Sequence, residues 1–470
     1  MVVVRRTSAN RLVAAGLVAV IIGSVSVLLI AEPDLGPYPI FAALVGSFVA
    51  FALLVGLAPV RRTLSIGMVL VASGALLLGS AVAPTRSSDD LWAYAMYGRA
   101  VVEHRANPYV HPPSDFPGDP LLEHVNPYWR GTTARYGPLF IGITAGVAVF
   151  TGDHPLPTRL AYQLLAALAM FIALVLIARR TRSAAAVAVV GLNPVTAYVV
   201  VNAGHNDAFI GLAVLGGVLL ATRNRHLPAT LAFTAAALIK ATAGLALVAY
   251  LAWLAYRRPR EALRAAGVAV GITVLTLLVV GFGNVISPLL GARETILPHS
   301  PWTLLAPGGI RRAFGYGYEE LGSFGHLSTI GIVTGIVIGA VFVVCRLRDT
   351  TPLYVVAGAL LALLFVSVYT PPWFAAWVLP VIALAWRWRV SVWAFVFFAL
   401  VTVDDRFSHA LFPQIYANER NFQVLLGNSV KTLTMLAAVG SVVVLLFSAR
   451  QEITTDLGSE SEADYVRPSR

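Results

Sequence analysis

Two adjacent aspartates, Asp89 and Asp90, stand in the string RSSDDLWAYAMYGR, directly after an apolar run. A carboxylate at a membrane face can take the proton of an attacking hydroxyl while staying wet enough to ionise, which is general-base chemistry. Two neighbouring side chains cannot both enter one pocket unless the backbone turns. One aspartate is therefore expected to work, with Asp89 capping a helix over 90–102 and Asp90 in its first turn. His205, Asn206 and Asp207, in VVNAGHNDAFIG, place three consecutive polar side chains between two apolar runs. Facing lipid that set would be costly, so it is expected to line a cavity. It offers at most two metal ligands, too few for a metal site, and no metal is expected.

Lys240, in AALIKATAG, falls in the break between two short apolar runs. Snorkelling is the ordinary fate of such a lysine, but a membrane-embedded cation on the side of Asp90 and His205 also suits a lipid phosphate. Arg311 and Arg312, in PGGIRRAFGYG, are second candidates for that role. Arg99, Arg105, Arg130 and Arg135 run against the orientation bias of membrane proteins, and arginines aimed at phosphate would rationalise them. The aromatic residues around them, from Trp92 to Tyr136, suit an interfacial belt. Thr370–Pro371–Pro372–Trp373 is a broken-helix signal, and Asp404, Asp405 and Arg406 read as a surface ion cluster.

The elements that must position these residues follow from composition. Of 470 residues, 58% are hydrophobic and only 12% charged, too few charges to cover two or three soluble domains. Apolar runs fall at 12–30, 40–58, 64–83, 138–151, 158–178, 184–202, 208–221, 228–239, 243–256, 262–282, 326–345, 352–369, 374–386, 390–402 and 429–448. A crossing helix needs about 20 apolar residues. The expected fold is an all-α polytopic membrane protein with about 13–14 transmembrane or re-entrant helices, 138–151 being re-entrant. Unbroken runs exclude a barrel. The single cysteine, Cys345, excludes an internal disulfide. Arg5, Arg6 and Arg11 precede the first run without a small-residue cleavage site, so a retained first helix is expected.

With the N-terminus in the cytoplasm, the cytoplasmic segments collect 21 of the 34 basic residues but only 7 of the 23 acidic ones, as the positive-inside rule asks. The net charge of +11 thus reads as an orientation signal, not a nucleic-acid patch. This map makes 1–449 one transmembrane domain with outer loops 84–137, 283–325 and 403–428, followed by a disordered cytoplasmic tail, 450–470. No P-loop, dinucleotide fingerprint or HExxH motif is present, and no cofactor is implied.

The strings DLWAYAMYGR (90–99), NPYV (107–110), RYGPLF (135–140), GLNP (191–194), GHND (204–207), LIKATA (238–243) and TPPWFAAWVLP (370–380), in this order, resemble the actinobacterial polyprenyl-phosphate-mannose-dependent α-mannosyltransferases of lipoglycan synthesis, in particular those that build α-(1→6) mannan. Leu91–Trp92 departs mildly from a Val–Tyr pair there. The resemblance implies a plasma-membrane glycosyltransferase of the GT-C fold with its active site on the extracytoplasmic face. It implies a polyprenyl-phosphate-mannose donor, a lipid-linked glycan acceptor and an inverting reaction with Asp90 as general base, Asp89 beside it. Lys240, with Arg99 or Arg311 and Arg312, would bind the donor phosphate. His205, Asn206, Asp207, Tyr136 and Trp373 would contact sugar or acceptor. A polyprenyl-phosphate-arabinose-dependent arabinosyltransferase is the alternative within enzymes, and a lipid-linked sugar flippase or transporter the alternative outside them. Transporters show internal repeats and midplane sites, whereas these polar motifs gather at one face without a repeat.

Overall fold

The computed structural model describes residues 2–30, 35, 37–283, 285, 300, 302, 325–408 and 420–448. Arg311, Arg312, most of the expected loop 283–325, residues 409–419 of the expected loop 403–428, and the tail 450–470 lie outside the described residues. Every regular element among those described is helical: α1 (Val2–Ile30), α2 (Pro37–Gly56), α3 (Ile66–Val82), α4 (Asp90–Val102), α5 (Pro138–Thr151), α6 (Pro155–Thr181), α7 (Ala184–Gly191), α8 (Asp207–Ala221), α9 (His226–Ile239), α10 (Gly244–Arg257), α11 (Pro259–Val280), α12 (Gly325–Arg346), α13 (Leu353–Val366), α14 (Ala375–Ile382), α15 (Arg389–Ser408) and α16 (Arg420–Ser448), with single turns between some of them.

Six of these are long and apolar enough to cross a membrane: Ser8–Ile30 in α1, Tyr38–Gly56 in α2, α6, α11, Thr329–Arg346 in α12 and Ser429–Ser448 in α16. A seventh span results if α7 and the π-helical stretch Val195–Val201, bent by 40°, count as one. The remaining apolar helices, such as α3, α5, α8, α9 and α13, have 10–17 residues. The chain is thus an all-α polytopic membrane protein in which long and short apolar helices share the work.

Local chemistry accounts for the helix ends. Ser65 and Ser183 begin α3 and α7, each side-chain oxygen accepting from a backbone amide three residues on. Proline opens α5, α6 and α11, where its missing amide hydrogen would have had no helical partner. Asp89 occupies the N-cap position of α4, but its side chain makes no cap bond. It lies exposed and accepts instead from the Thr85 hydroxyl at 3.4 Å.

Helices α4 and α5 run in the same direction. Tyr94 meets Phe140 near their starts, with ring centroids 5.0 Å apart, and Arg99 reaches the Gly152 carbonyl just past the end of α5 at 2.8 Å. Two glycines let further elements close in. A Cβ on Gly137 would lie 2.0 Å from the Leu238 carbonyl oxygen, and one on Gly211 2.1 Å from that of Ala376. Without side chains, the start of α5 touches the end of α9, and α8 touches α14.

The span from α7 to α8 is interrupted twice. Pro194 lacks the amide hydrogen a continuing helix would use, and the π-helical turns over Val195–Val201 follow it. Gly204 then adopts a φ of +63° and turns the chain into His205. Two buried amides lock this break to the segment leading to Asp90. Asn202 Nδ2 donates to the Ser80 and Pro84 carbonyls at 3.1 and 2.8 Å, and its Oδ1 accepts from the Arg86 amide at 2.8 Å. Gln163 Nε2 on α6 donates to the Ala83 and Asn202 carbonyls at 2.9 and 2.6 Å. Asp404, expected at the surface, is buried on α15, and Arg406 donates to the Arg86 carbonyl at 3.0 Å.

Candidate active site

Five separate stretches of chain meet where α4, α8 and α9 have their polar ends. Asp90 opens α4 and is 9% exposed, with its amide donating to the Ser88 hydroxyl at 3.2 Å. One and two helical turns further along the same face come Tyr94 and Tyr97. Tyr94 hydroxyl and His205 Nδ1 share a hydrogen bond of 3.2 Å, which joins the α4 face to the break before α8.

Asp207, at the first turn of α8, is fully buried. Its Oδ1 accepts from Lys240 Nζ at 3.0 Å and from Trp377 Nε1 at 2.5 Å. Lys240 occupies an extended position between α9 and the next helical turn. Its ammonium also lies 4.2, 5.4 and 5.8 Å from the ring centres of Phe374, Trp377 and Tyr136, close enough for the ring faces to favour the charge. The Gly137 amide donates to the Ile239 carbonyl at 2.8 Å, so the RYGPLF turn holds the residue next to Lys240. Trp373 stacks on His205 with centroids 4.3 Å apart and planes at 17°. Trp377, one turn later, then reads Asp207.

Several polar atoms at this junction lack partners. His205 Nε2, both side-chain polar atoms of Asn206, and Asp207 Oδ2 are buried without a hydrogen bond. A buried unmet donor or acceptor costs about 1–3 kcal/mol, and four of them on three consecutive residues leave this junction with hydrogen-bonding capacity that the described residues do not meet. Among the described residues no three His, Cys, Asp or Glu side chains come together as a metal site.

Asp90 lies in α4, which is not among the apolar helices of membrane-crossing type. Burial is the main reason its carboxyl is pushed up to about 6, with the Asp207 and Asp89 carboxylates adding to the shift and Ser88 and Lys240 opposing it. A carboxylate of that basicity is a far better proton acceptor near neutrality than an exposed one.

The structure therefore brings Asp90, His205, Asn206, Asp207, Lys240, Tyr136 and Trp373 to one place, with Asp89 exposed at its edge. Arg99 stands apart from them. Nine residues after Asp90 on one helix, it lies about 13 Å along the axis and on the opposite face. Its guanidinium is also filled, by Asp119 at 2.8 and 3.0 Å, Asp153 at 2.7 Å and the Gly152 carbonyl at 2.8 Å. That set ties Arg99 to Asp119, Gly152 and Asp153, away from the residues gathered around Asp90. Tyr94, Phe374, Trp377, Asn202 and Gln163 were not anticipated as site residues. The spacing Asp90–Tyr94–Tyr97 and the pair Trp373–Trp377 are one-turn signals that could have found two of them, Tyr94 and Trp377.

Residues 26–257 match the profile of the MptA/B family, described as alpha-(1->6)-mannopyranosyltransferase, N-terminal domain. Over 317 residues the chain is 28% identical to alpha-(1->6)-mannopyranosyltransferase A of Mycobacterium tuberculosis, covering 63% of this chain and 61% of that protein. Over 172 residues it is 31% identical to alpha-(1->6)-mannopyranosyltransferase A of Corynebacterium glutamicum, covering 36% of this chain and 34% of that protein. The chain thus spans about three fifths and one third of the lengths of these two curated relatives. No solved structure matches the chain significantly. The matched region holds Asp90, Tyr136, His205, Asp207 and Lys240, and through it the chain is similar to the MptA/B family.

Proposed function

We propose that this protein transfers mannose from a polyprenyl-phosphate-linked donor to a hydroxyl of a lipid-anchored mannan or lipoglycan acceptor, at the extracytoplasmic face of the plasma membrane and with both termini in the cytoplasm. The observation that carries this reading is a buried carboxylate of raised basicity, Asp90, beside four unsatisfied polar atoms on His205, Asn206 and Asp207. The family supplies the sugar, since two relatives are named for mannopyranosyl transfer. The bias of basic residues supplies the orientation.

The acceptor oxygen attacks C1 of the mannosyl group while its proton passes to the Asp90 carboxylate. The bond from C1 to the phosphate oxygen breaks, its electron pair stays on that oxygen, and polyprenyl phosphate leaves. A β-linked donor gives an α-linked product by one displacement, with no sugar–enzyme bond. The transition state has oxocarbenium character, and the carboxylates of Asp90 and Asp207 favour such developing positive charge. His205 Nε2, Asn206 and Asp207 Oδ2 hold the sugar hydroxyls, and Trp373 and Tyr136 supply flat apolar walls. The aromatic cage and Trp377 hold the Lys240–Asp207 pair in register with Asp90.

Transfer by the purified chain, with polyprenyl-phosphate mannose and polyprenyl-phosphate arabinose offered in parallel, tests the reading. Mannose transfer well above arabinose transfer supports it. Arabinose preference, or no transfer from either donor, overturns it.

A further inference from the structure

We propose that Arg135, not Lys240, is the cation that receives the donor's phosphate; this inference rests on the transferase reading above. The first argument is charge balance. Lys240 is already paired with Asp207 at 3.0 Å, so with Asp90 ionised these three groups carry a net charge of −1. A sugar phosphodiester brings a further negative charge, and the departing monoester brings more. A second cation is needed beside them.

The arginines around the site are accounted for, with one exception. Arg99 is filled by Asp119, Asp153 and Gly152. Arg130 donates to the Val125 and Glu123 carbonyls at 2.9 and 3.1 Å. Arg159 donates to the Ala83 and Val82 carbonyls, and Arg86 to that of Leu29. Arg105 is exposed. Among the described residues of this segment, Arg135 is the half-buried arginine whose guanidinium has neither a carboxylate nor a carbonyl, only the Trp129 ring with its centre 5.9 Å away.

Its backbone, by contrast, is fixed on both sides. The Ala134 amide donates to the Pro108 carbonyl at 2.8 Å, the Tyr109 hydroxyl to the Tyr136 carbonyl at 2.8 Å, and the Gly137 amide to the Ile239 carbonyl at 2.8 Å. The last bond ends one residue from Lys240, and the Tyr136 ring touches both the Lys240 ammonium and Tyr94. Arg135 also lies within electrostatic reach of the Tyr97 and Tyr369 hydroxyls, and Asp90 within reach of the same two. A planar cation on a pinned backbone, resting on an indole and without an anion, is pre-organised for bidentate contact with a phosphate.

The test uses the purified full chain with two probes, a polyprenyl monophosphate and the uncharged polyprenol of the same length. For Arg135→Gln, the donor KM and the Kd for the monophosphate should rise about tenfold or more, the loss of a charge-assisted contact, while polyprenol binding stays at the wild-type level. Arg135→Lys, which keeps the charge but not the planar fork, should recover only part of the loss. Unchanged monophosphate binding in Arg135→Gln overturns the proposal, as does an equal loss of both probes, which would mark a packing role. If the wild type binds the monophosphate in an Arg135-dependent way but transfers no mannose, the phosphate site stands and the transferase reading falls. If the wild type does not bind the monophosphate, both fall.

Discussion

The two ends of helix α4 differ in what their polar groups are given to do. At the Arg99 end every strong partner is present. Asp119 takes Arg99, the His104 Nε2 at 2.7 Å and the Leu121 amide at 2.9 Å. Burial pushes the Asp119 carboxyl up, but the Leu121 amide, Arg99 and His104 outweigh it and hold the group below the ordinary carboxylate range. At the Asp90 end, burial wins, the carboxyl stays basic, and the residues facing it keep unmet polar atoms. The same helix is tied down at one end and carries a buried, raised carboxyl at the other. On the proposed reading, the second end is where transfer takes place.

The sharpest way to break that contrast is to neutralise each end in turn. Asp90→Asn removes the base with little change of shape, and transfer should drop about 10²–10⁴-fold with thermal stability retained. Transfer within a few-fold of wild type would end the assignment. Arg99→Ala should do the reverse, destabilising by about 3–5 kcal/mol because it strands the buried Asp119, while the folded fraction keeps its KM for the donor. A selective rise in donor KM in that variant would restore a phosphate role to Arg99.

A smaller and more diagnostic effect concerns the Lys240–Asp207 pair. Lys240→Met alone leaves a buried carboxylate unpaired and should lose both stability and transfer. In the double variant with Asp207→Asn, stability should return in large part because neither charge is left alone, while transfer stays low. Thermal denaturation of the two single variants and the double one measures this coupling, and simple additivity would contradict it. The smallest change is expected at Asp89, exposed and without a capping bond. Asp89→Asn should keep transfer within about threefold and leave stability unaltered, as surface substitutions ordinarily do.

Much of this arrangement is readable in the sequence because lipid leaves few options for the backbone. The run 138–151 is helix α5, the run 208–221 is α8 with one more residue, and the helix over 90–102 begins at Asp90. Polar residues set between apolar runs, such as His205–Asp207 and Lys240, meet because lipid excludes them individually. Residues whose meaning lies in a distant partner were not readable. Asn202 and Gln163 look like isolated amides until the carbonyls of Ser80, Ala83 and Pro84 are beside them. Arg99 and Arg135 are alike by type and by segment, and only the carboxylates around the first separate them. The π-helical turns after Pro194 have no local signature beyond the proline itself.

The contrast between the ends of α4 rests on the ionisation of Asp90, and kcat/KM for mannosyl transfer as a function of pH reads it directly in the free enzyme. The base must be ionised and its carboxyl is pushed up to about 6. Transfer should therefore be full above that value and fall as pH drops through it, a limb that vanishes in the residual activity of Asp90→Asn. A profile that stays flat down to the ordinary carboxylate range of about 4, or an unaltered acidic limb in Asp90→Asn, would contradict the account.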